Sequence, residues 1–186
     1  MYHSPKEDFS TLLVEQWSKT LNLIADIFDI PTVLIMKLEG NKIQVFAKNQ
    51  HDKNPYNIDD AEILDGSGLY CEQVIKNQDL LEVKNALKDP HWNTNPDIAL
   101  NQIYYLGVPI THSDGQPFGK RCMLDNHERK FQEKYHHLFI NLKNGIESQL
   151  QAFDLQKQLM TKQNLNYVEQ LISGMADQLN TPTGIS

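Results

Sequence analysis

Tyr104-Tyr105-Leu106-Gly107-Val108-Pro109-Ile110-Thr111, then Ser113-Asp114-Gly115-Gln116, then Phe118-Gly119-Lys120-Arg121-Cys122-Met123-Leu124 decide how this chain folds. The outer runs are rich in aromatic and aliphatic residues. The segment between them carries Asp114-Gly115, a dipeptide that reaches the positive φ of tight hairpin turns without strain. The reading is a pair of antiparallel strands joined by a short turn.

Working toward the N-terminus, residues 32–38 are β-branched and aliphatic, Gly40-Asn41 makes a turn, and residues 42–47 alternate polar and apolar. This is a second hairpin. Residues 49–60 are polar and contain Pro55, which predicts a loop. Residues 67–77 predict a short helix after Gly66, residues 80–83 a short strand, and residues 85–95 a long connection. Pro96 suits the first turn of another short helix. Residues 8–28 carry Leu12, Leu13, Trp17, Leu21, Ile24 and Phe28 at helical spacing, and Pro31 closes that helix. Strands and helices that do not alternate regularly predict an α+β domain built on an antiparallel sheet, over residues 1–150.

Beyond Asp125 the pattern turns helical and stays so, through Phe131, Tyr135, Leu138, Leu142, Ile146, Leu150 and Phe153, then Leu165, Val168, Ile172, Met175 and Leu179. A helix of about fifty residues spans roughly 75 Å. A small sheet domain cannot cover that length, so the exposed apolar stripe calls for a second copy of the same helix. Residues 151–186 are accordingly read as a coiled-coil signalling helix. Its Gln-rich middle specifies register weakly, which suits a bistable element.

The 186 residues carry a net charge of −7, which disfavours a nucleic-acid surface. No apolar run is long enough to cross a bilayer, and the first residues contain no apolar signal core. Two cysteines far apart, Cys71 and Cys122, fit a reducing compartment. These observations predict a cytoplasmic protein with no membrane span.

Ile30-Pro31-Thr32-Val33-Leu34-Ile35-Met36, Gly66-Ser67-Gly68-Leu69-Tyr70-Cys71-Glu72, Asp89-Pro90-His91-Trp92, Asn95-Pro96-Asp97, Tyr105-Leu106-Gly107-Val108-Pro109-Ile110 and Pro117-Phe118-Gly119 with Leu124-Asp125 follow one another in the order and spacing of a GAF domain. The chain resembles the GAF domains fused to bacterial sensor kinases and cyclases. The resemblance implies a central antiparallel sheet, terminal helices on one face, a ligand cavity on the other, and a homodimer through the terminal helices. One departure is Gly119-Lys120-Arg121-Cys122, with two charges where a small or apolar residue is usual. Strands buried on both faces do not take charges easily, so these two are expected at an edge or with their stems laid over a surface.

The last residues, Leu171-Ile172-Ser173-Gly174-Met175-Ala176-Asp177-Gln178-Leu179-Asn180-Thr181-Pro182, resemble the phosphoacceptor H-box of sensor histidine kinases. The resemblance places Asp177 where the acceptor His belongs and Thr181 at a position linked to phosphatase action. It implies a kinase catalytic domain and a response regulator as partners in a full-length two-component protein. Asp lacks the imidazole nitrogen that forms a phosphoramidate, and no nucleotide-binding loop is present. The chain itself is therefore expected to be no enzyme. Two alternatives stand beside this reading: an inactivated fragment of an active kinase, and a purely structural dimerisation module.

The ligand-pocket candidates are Tyr70, Cys71, Trp92, Asp97, Tyr104 and Tyr105. Aromatics at such spacing line a cavity or simply fill a core, and both readings stand. Cys71 opens a predicted helix, where the dipole lowers a thiol pKa. Photoreceptor GAF domains attach a bilin to a Cys followed by His. Here Glu72 follows, so no bilin link is expected. A thiol enzyme such as a sulfoxide reductase needs more cysteines than Cys122 supplies. The Asn-Lys…Phe…Asp-Glu pattern of cyclic-nucleotide binders is missing from its place. Seven histidines fall in no metal spacing, and His136 and His137 point about 100° apart on a helix. No metal is expected, and the cofactor, if any, is not specified by the sequence.

Overall fold

A computed structural model of the chain describes residues 5–180, and the side chains from residue 11 onward. The elements follow in the order α1 (Pro5–Phe28), β1 (Thr32–Glu39), β2 (Lys42–Lys48), β3 (Ala61–Ile63), α2 (Tyr70–Asn77), β4 (Leu81–Val83), two 3₁₀ turns (Ala86–Lys88 and Pro96–Leu100), β5 (Tyr104–Thr111), β6 (Pro117–Asp125) and α3 (Glu133–Leu179). After Gln149 the chain divides into two compact units.

The first unit is built on one six-stranded antiparallel sheet in the order β3-β2-β1-β6-β5-β4. This is the α+β architecture expected from the sequence. Both predicted hairpins form, β1–β2 through Gly40 (φ 60°) and β5–β6 through Gly115 (φ 82°). Strands β1 and β6 are the two central strands, and β6 is buried at every residue after Pro117.

Helix α1 and residues 133–149 of α3 cover one face. Trp17, fully buried, meets Phe46 and Phe118 edge-on at 5.5 and 5.6 Å and donates from Nε1 to Gln149 at 2.9 Å. Phe28 packs edge-on against Phe131, Tyr135 and Phe139. The Glu147 carboxylate accepts from the backbone and hydroxyl of Thr111 at 2.8 and 3.0 Å. The stripe expected on α1 is buried at Leu13, Trp17, Leu21, Ile24 and Phe28, each aliphatic or aromatic burial contributing about 2 kcal/mol. Leu12 is the exception. It is exposed, and with Leu23 and Ile27 it forms a second apolar stripe facing away from the sheet. The helix ends at Asp29 (φ 49°), where Ile30 N–H donates to the Ala25 carbonyl at 3.0 Å and Pro31 prevents continuation.

The opposite face is covered by α2, the 3₁₀ turn Pro96–Leu100 and the segment 49–69. Helix α2 starts at Tyr70, three residues later than expected, because Gly66 and Gly68 both take positive φ (71° and 72°) and Leu69 is extended. The Glu72 side chain reaches back and accepts from Gly66 N–H at 2.9 Å and Gly68 N–H at 3.1 Å, tying the loop to the helix.

In the second unit, residues 150–179 continue α3. Leu155, Leu159, Leu165, Val168, Leu171, Ile172, Met175 and Leu179 are all exposed along it. Helix α3 starts at Glu133 rather than just after Asp125. The intervening loop is held by Arg129, which donates to Asp125 at 2.6 Å and to the Asp29 carbonyl at 2.8 Å. No described helix is long and apolar enough to cross a membrane.

Candidate functional site

Successive side chains on a strand face opposite ways. On β6 this sends Lys120, Cys122 and Leu124 toward α2, and Arg121 toward α3. A Cβ at Gly119 would fall 1.9 Å from the Met36 carbonyl oxygen of β1. Both charges of Lys120-Arg121 are therefore buried in the middle of the sheet, at 1% and 0% exposure. This corrects the expectation that they lie at an edge or spread over a surface. The strand turned out to be enclosed on both sides, and each charge found its own interior environment.

On the α2 side, a cavity of about 710 Å³ opens between the sheet and its cover. Leu34, Met36, Val45 and Leu124 come from the strands, Leu69 and Cys71 from the start of α2, and Pro96, Asp97, Ala99 and Leu100 from the 3₁₀ turn. Tyr56 closes one side. Its hydroxyl donates to Asp97 Oδ1 at 2.9 Å, and Lys48 Nζ donates to its carbonyl. Asp97 is itself positioned by the Asn95 cap, whose side chain accepts from Asp97 N–H at 2.9 Å. At the edge of the cavity lie Asp60, Glu62 and Asp65.

Lys120 lines the cavity. Its Nζ is 3.2 Å from Tyr105 Oη, 3.2 Å from Cys122 Sγ and 4.8 Å from the Tyr105 ring centre. Two influences on this ammonium oppose one another. Burial disfavours its charge, whereas ionised Cys122, Cys71 and Tyr105 would hold it charged well above the ordinary lysine range. Those three groups are pushed up by burial, Cys71 to about 12, so at neutral pH they carry no charge. Asp97, which lines the same cavity, also acts on this ammonium electrostatically. Burial also raises the Asp97 carboxyl, with Lys120 opposing that shift.

On the other face, Arg121 lies 4.2 Å from the centre of the Phe139 ring, and Nη2 donates to the Phe139 carbonyl in α3. Its Nε and Nη1 have no partner among the described residues. Burial lowers its pKa to about 9, with Cys122 and Glu147 opposing.

The residues singled out in the sequence divide three ways. Cys71 and Asp97 line the cavity. Tyr70, Trp92 and Tyr105 form a stack in the core beside it, with Tyr70 4.6 Å from Tyr105 and 5.1 Å from Trp92. Tyr104 faces away from the cavity, next to Phe131, and donates to Glu82 at 3.2 Å. Cys71 does stand in the first turn of α2, yet its thiol is raised rather than lowered, because burial outweighs the dipole. His136 pairs with Glu82 at 2.9 Å, and His137 points to Glu133 at 3.8 Å, so the two rings do diverge. Asp177 lies on the exposed surface of α3. Thr181 and Pro182 lie outside the described residues. Sequence reasoning missed Lys120, Tyr56 and Glu72. The alternation of β6 carried the signal for Lys120, since it shares its parity with Cys122 and Leu124.

No protein-family model matches this sequence. No curated protein matches it either. Solved structures do resemble it. The GAF domain of Thermosynechococcus elongatus PixJ in its blue-light absorbing form superposes with a TM-score of 0.66 at 15% identity, over 87% of this chain and 96% of that one. Residues 122 to 287 of a methyl-accepting chemotaxis protein give 0.63 at 14%, over 80% and 98%. The type II free methionine-R-sulfoxide reductase of Thermoplasma acidophilum gives 0.62 at 13%, over 78% and 96%. The fold of this chain is the GAF fold.

Proposed function

We propose that this chain is a sensory module that binds a small molecule in the cavity beneath α2 and passes the event to α3. The observation that carries the reading is the pair Lys120-Arg121. One residue of a central strand enters the cavity, and the next bonds the output helix at Phe139. A ligand that displaces Lys120 moves β6, and Arg121 transmits the movement to residues 133–149. The buried Arg121 donors without partners suit a contact with two alternative arrangements. A blue-light absorbing domain and a chemotaxis protein among the solved relatives support sensing as the class of function.

The working form in this reading is a cytoplasmic homodimer. The apolar residues exposed along 155–179, and the second stripe of Leu12, Leu23 and Ile27 on α1, are what a twin chain would cover. Residues 151–186 lead toward a histidine-kinase-like H-box with Asp177 at the acceptor position. In a full-length two-component protein a kinase catalytic domain and a response regulator would complete the pathway. The chain itself acts by binding, not turnover: both thiols are buried and held protonated, which disfavours thiol chemistry at Cys71. A pure dimer scaffold is the competing reading.

Sedimentation equilibrium tests the dimer. The wild-type protein is expected as a dimer at tens of micromolar, and Ile172→Glu with Val168→Glu is expected to shift it to monomer. A wild-type monomer under those conditions would remove the relay from the reading.

A further inference from the structure

The charges around the cavity are distributed unevenly, and the pattern specifies what it takes. Deep inside, the Lys120 ammonium has only a phenol and thiols around it, with no carboxylate among its hydrogen-bond partners. A buried charge without a counter-ion is costly, and a neutral ligand leaves that cost in place. A ligand with an anionic group removes it. Lys120 is the only cation lining the cavity among the described residues, so a single negative charge matches it. The paired Gly66 and Gly68 amides, a backbone feature that would suit a phosphate, are already filled by the Glu72 carboxylate. The single charge of a carboxylate is the better match to one lysine.

The remaining charges have the opposite sign. Asp97, buried in the wall, has one oxygen engaged by Tyr56 and no hydrogen bond to the other among the described residues. Asp60, Glu62 and Asp65 add negative charge at the edge. A ligand that were only an anion would be repelled by this side. Lys120 and Asp97 line the same cavity, so one small ligand can meet both charges. The rest of the wall is apolar, from Leu34, Met36, Val45 and Leu69.

We infer that the cavity binds a small zwitterion with an apolar body, carrying a carboxylate for Lys120 and an ammonium for Asp97, as in a free amino acid with a large apolar side chain. The inference rests on the reading of the cavity as a ligand site, and goes further by naming the ligand chemistry.

Titration calorimetry on the full chain tests it with a matched series: phenylalanine, phenylalaninamide (no carboxylate), 3-phenylpropanoate (no amine) and 3-phenylpropanamide (neither). Phenylalanine is expected to bind saturably, with each of the others weaker by about tenfold or more. Lys120→Met is expected to remove the preference over phenylalaninamide. Asp97→Asn is expected to remove the preference over 3-phenylpropanoate. Thermal unfolding without ligand shows whether each variant folds, and if one does not, the wild-type series decides alone. If 3-phenylpropanamide binds as tightly as phenylalanine, the cavity is a ligand site but the zwitterion is wrong. If none of the four binds, the zwitterion is overturned and the cavity loses its support as a ligand site for molecules of this size.

Discussion

Lys120→Met should raise the melting temperature of the ligand-free protein. Methionine matches the length and most of the volume of lysine and sits easily in an irregular apolar site. The substitution loses a hydrogen bond to the Tyr105 hydroxyl at 3.2 Å, long for a charged donor, another to the Cys122 sulfur at 3.2 Å, and a cation–π contact at 4.8 Å. It also leaves the buried Tyr105 hydroxyl with one partner fewer. Against these losses stands relief from burying an ammonium at 1% exposure, a penalty of several kcal/mol for an ion without a counter-charge. The balance is a gain of about 1–2 kcal/mol. For a chain of this size that corresponds to roughly 2–8 °C in Tm, read by differential scanning calorimetry at pH 7. A variant that melts several degrees lower than wild type would refute the reasoning. Lys120 would then be a well-partnered structural residue rather than an unmet charge.

Three further outcomes are expected. Because burial raises the Cys71 thiol to about 12, the unfolded chain loses this proton near its ordinary value while the folded chain keeps it, so stability falls above about pH 8.5 by as much as 1.4 kcal/mol per pH unit. Urea melts at pH 8 and pH 10 should show a shallower loss for Cys71→Ala than for wild type, and equal losses would contradict this. Glu72→Ala should speed amide exchange at Gly66 and Gly68. Lys76 and the two amides hold the Glu72 carboxyl down at about 2, so the stability it adds is present above about pH 4.3 and disappears as pH falls through 2. Unchanged exchange would mean that the loop is held by something else. Gly119→Ala places a methyl against the Met36 backbone and should cost about 3 kcal/mol or more, measured by chemical denaturation; a cost below 1 kcal/mol would show that β1 and β6 separate easily there.

The strong hairpins were legible because local signals and burial agree in them. The Asp114-Gly115 turn and its aromatic and aliphatic flanks each point to the same pairing, and so do Gly40 and the alternation after it. Strand β3 was not legible. Ala61-Glu62-Ile63 is three residues long, fully exposed and paired only with β2 at the sheet edge, so it has neither length nor a buried face to leave a pattern. The start of α2 was misplaced by three residues because the helix was begun directly after Gly66, while the positive φ at Gly66 and Gly68 postpones it to Tyr70. The site was half-legible. Asp97 and Cys71 were found by type and position. Tyr104 and Tyr105 were grouped together although adjacent strand residues face opposite sides. Lys120 was read as a surface charge because a lysine in an enclosed strand violates the usual burial rule. That violation is what the proposed ligand would answer.

Native mass spectrometry of the full chain, purified from its own host without heating or denaturant, tests the central claim most directly. The account predicts a dimer carrying one small molecule per subunit, lost from the Lys120→Met protein prepared in the same way. A bare particle, whether one chain or two, or a small molecule retained equally by the variant, would contradict it.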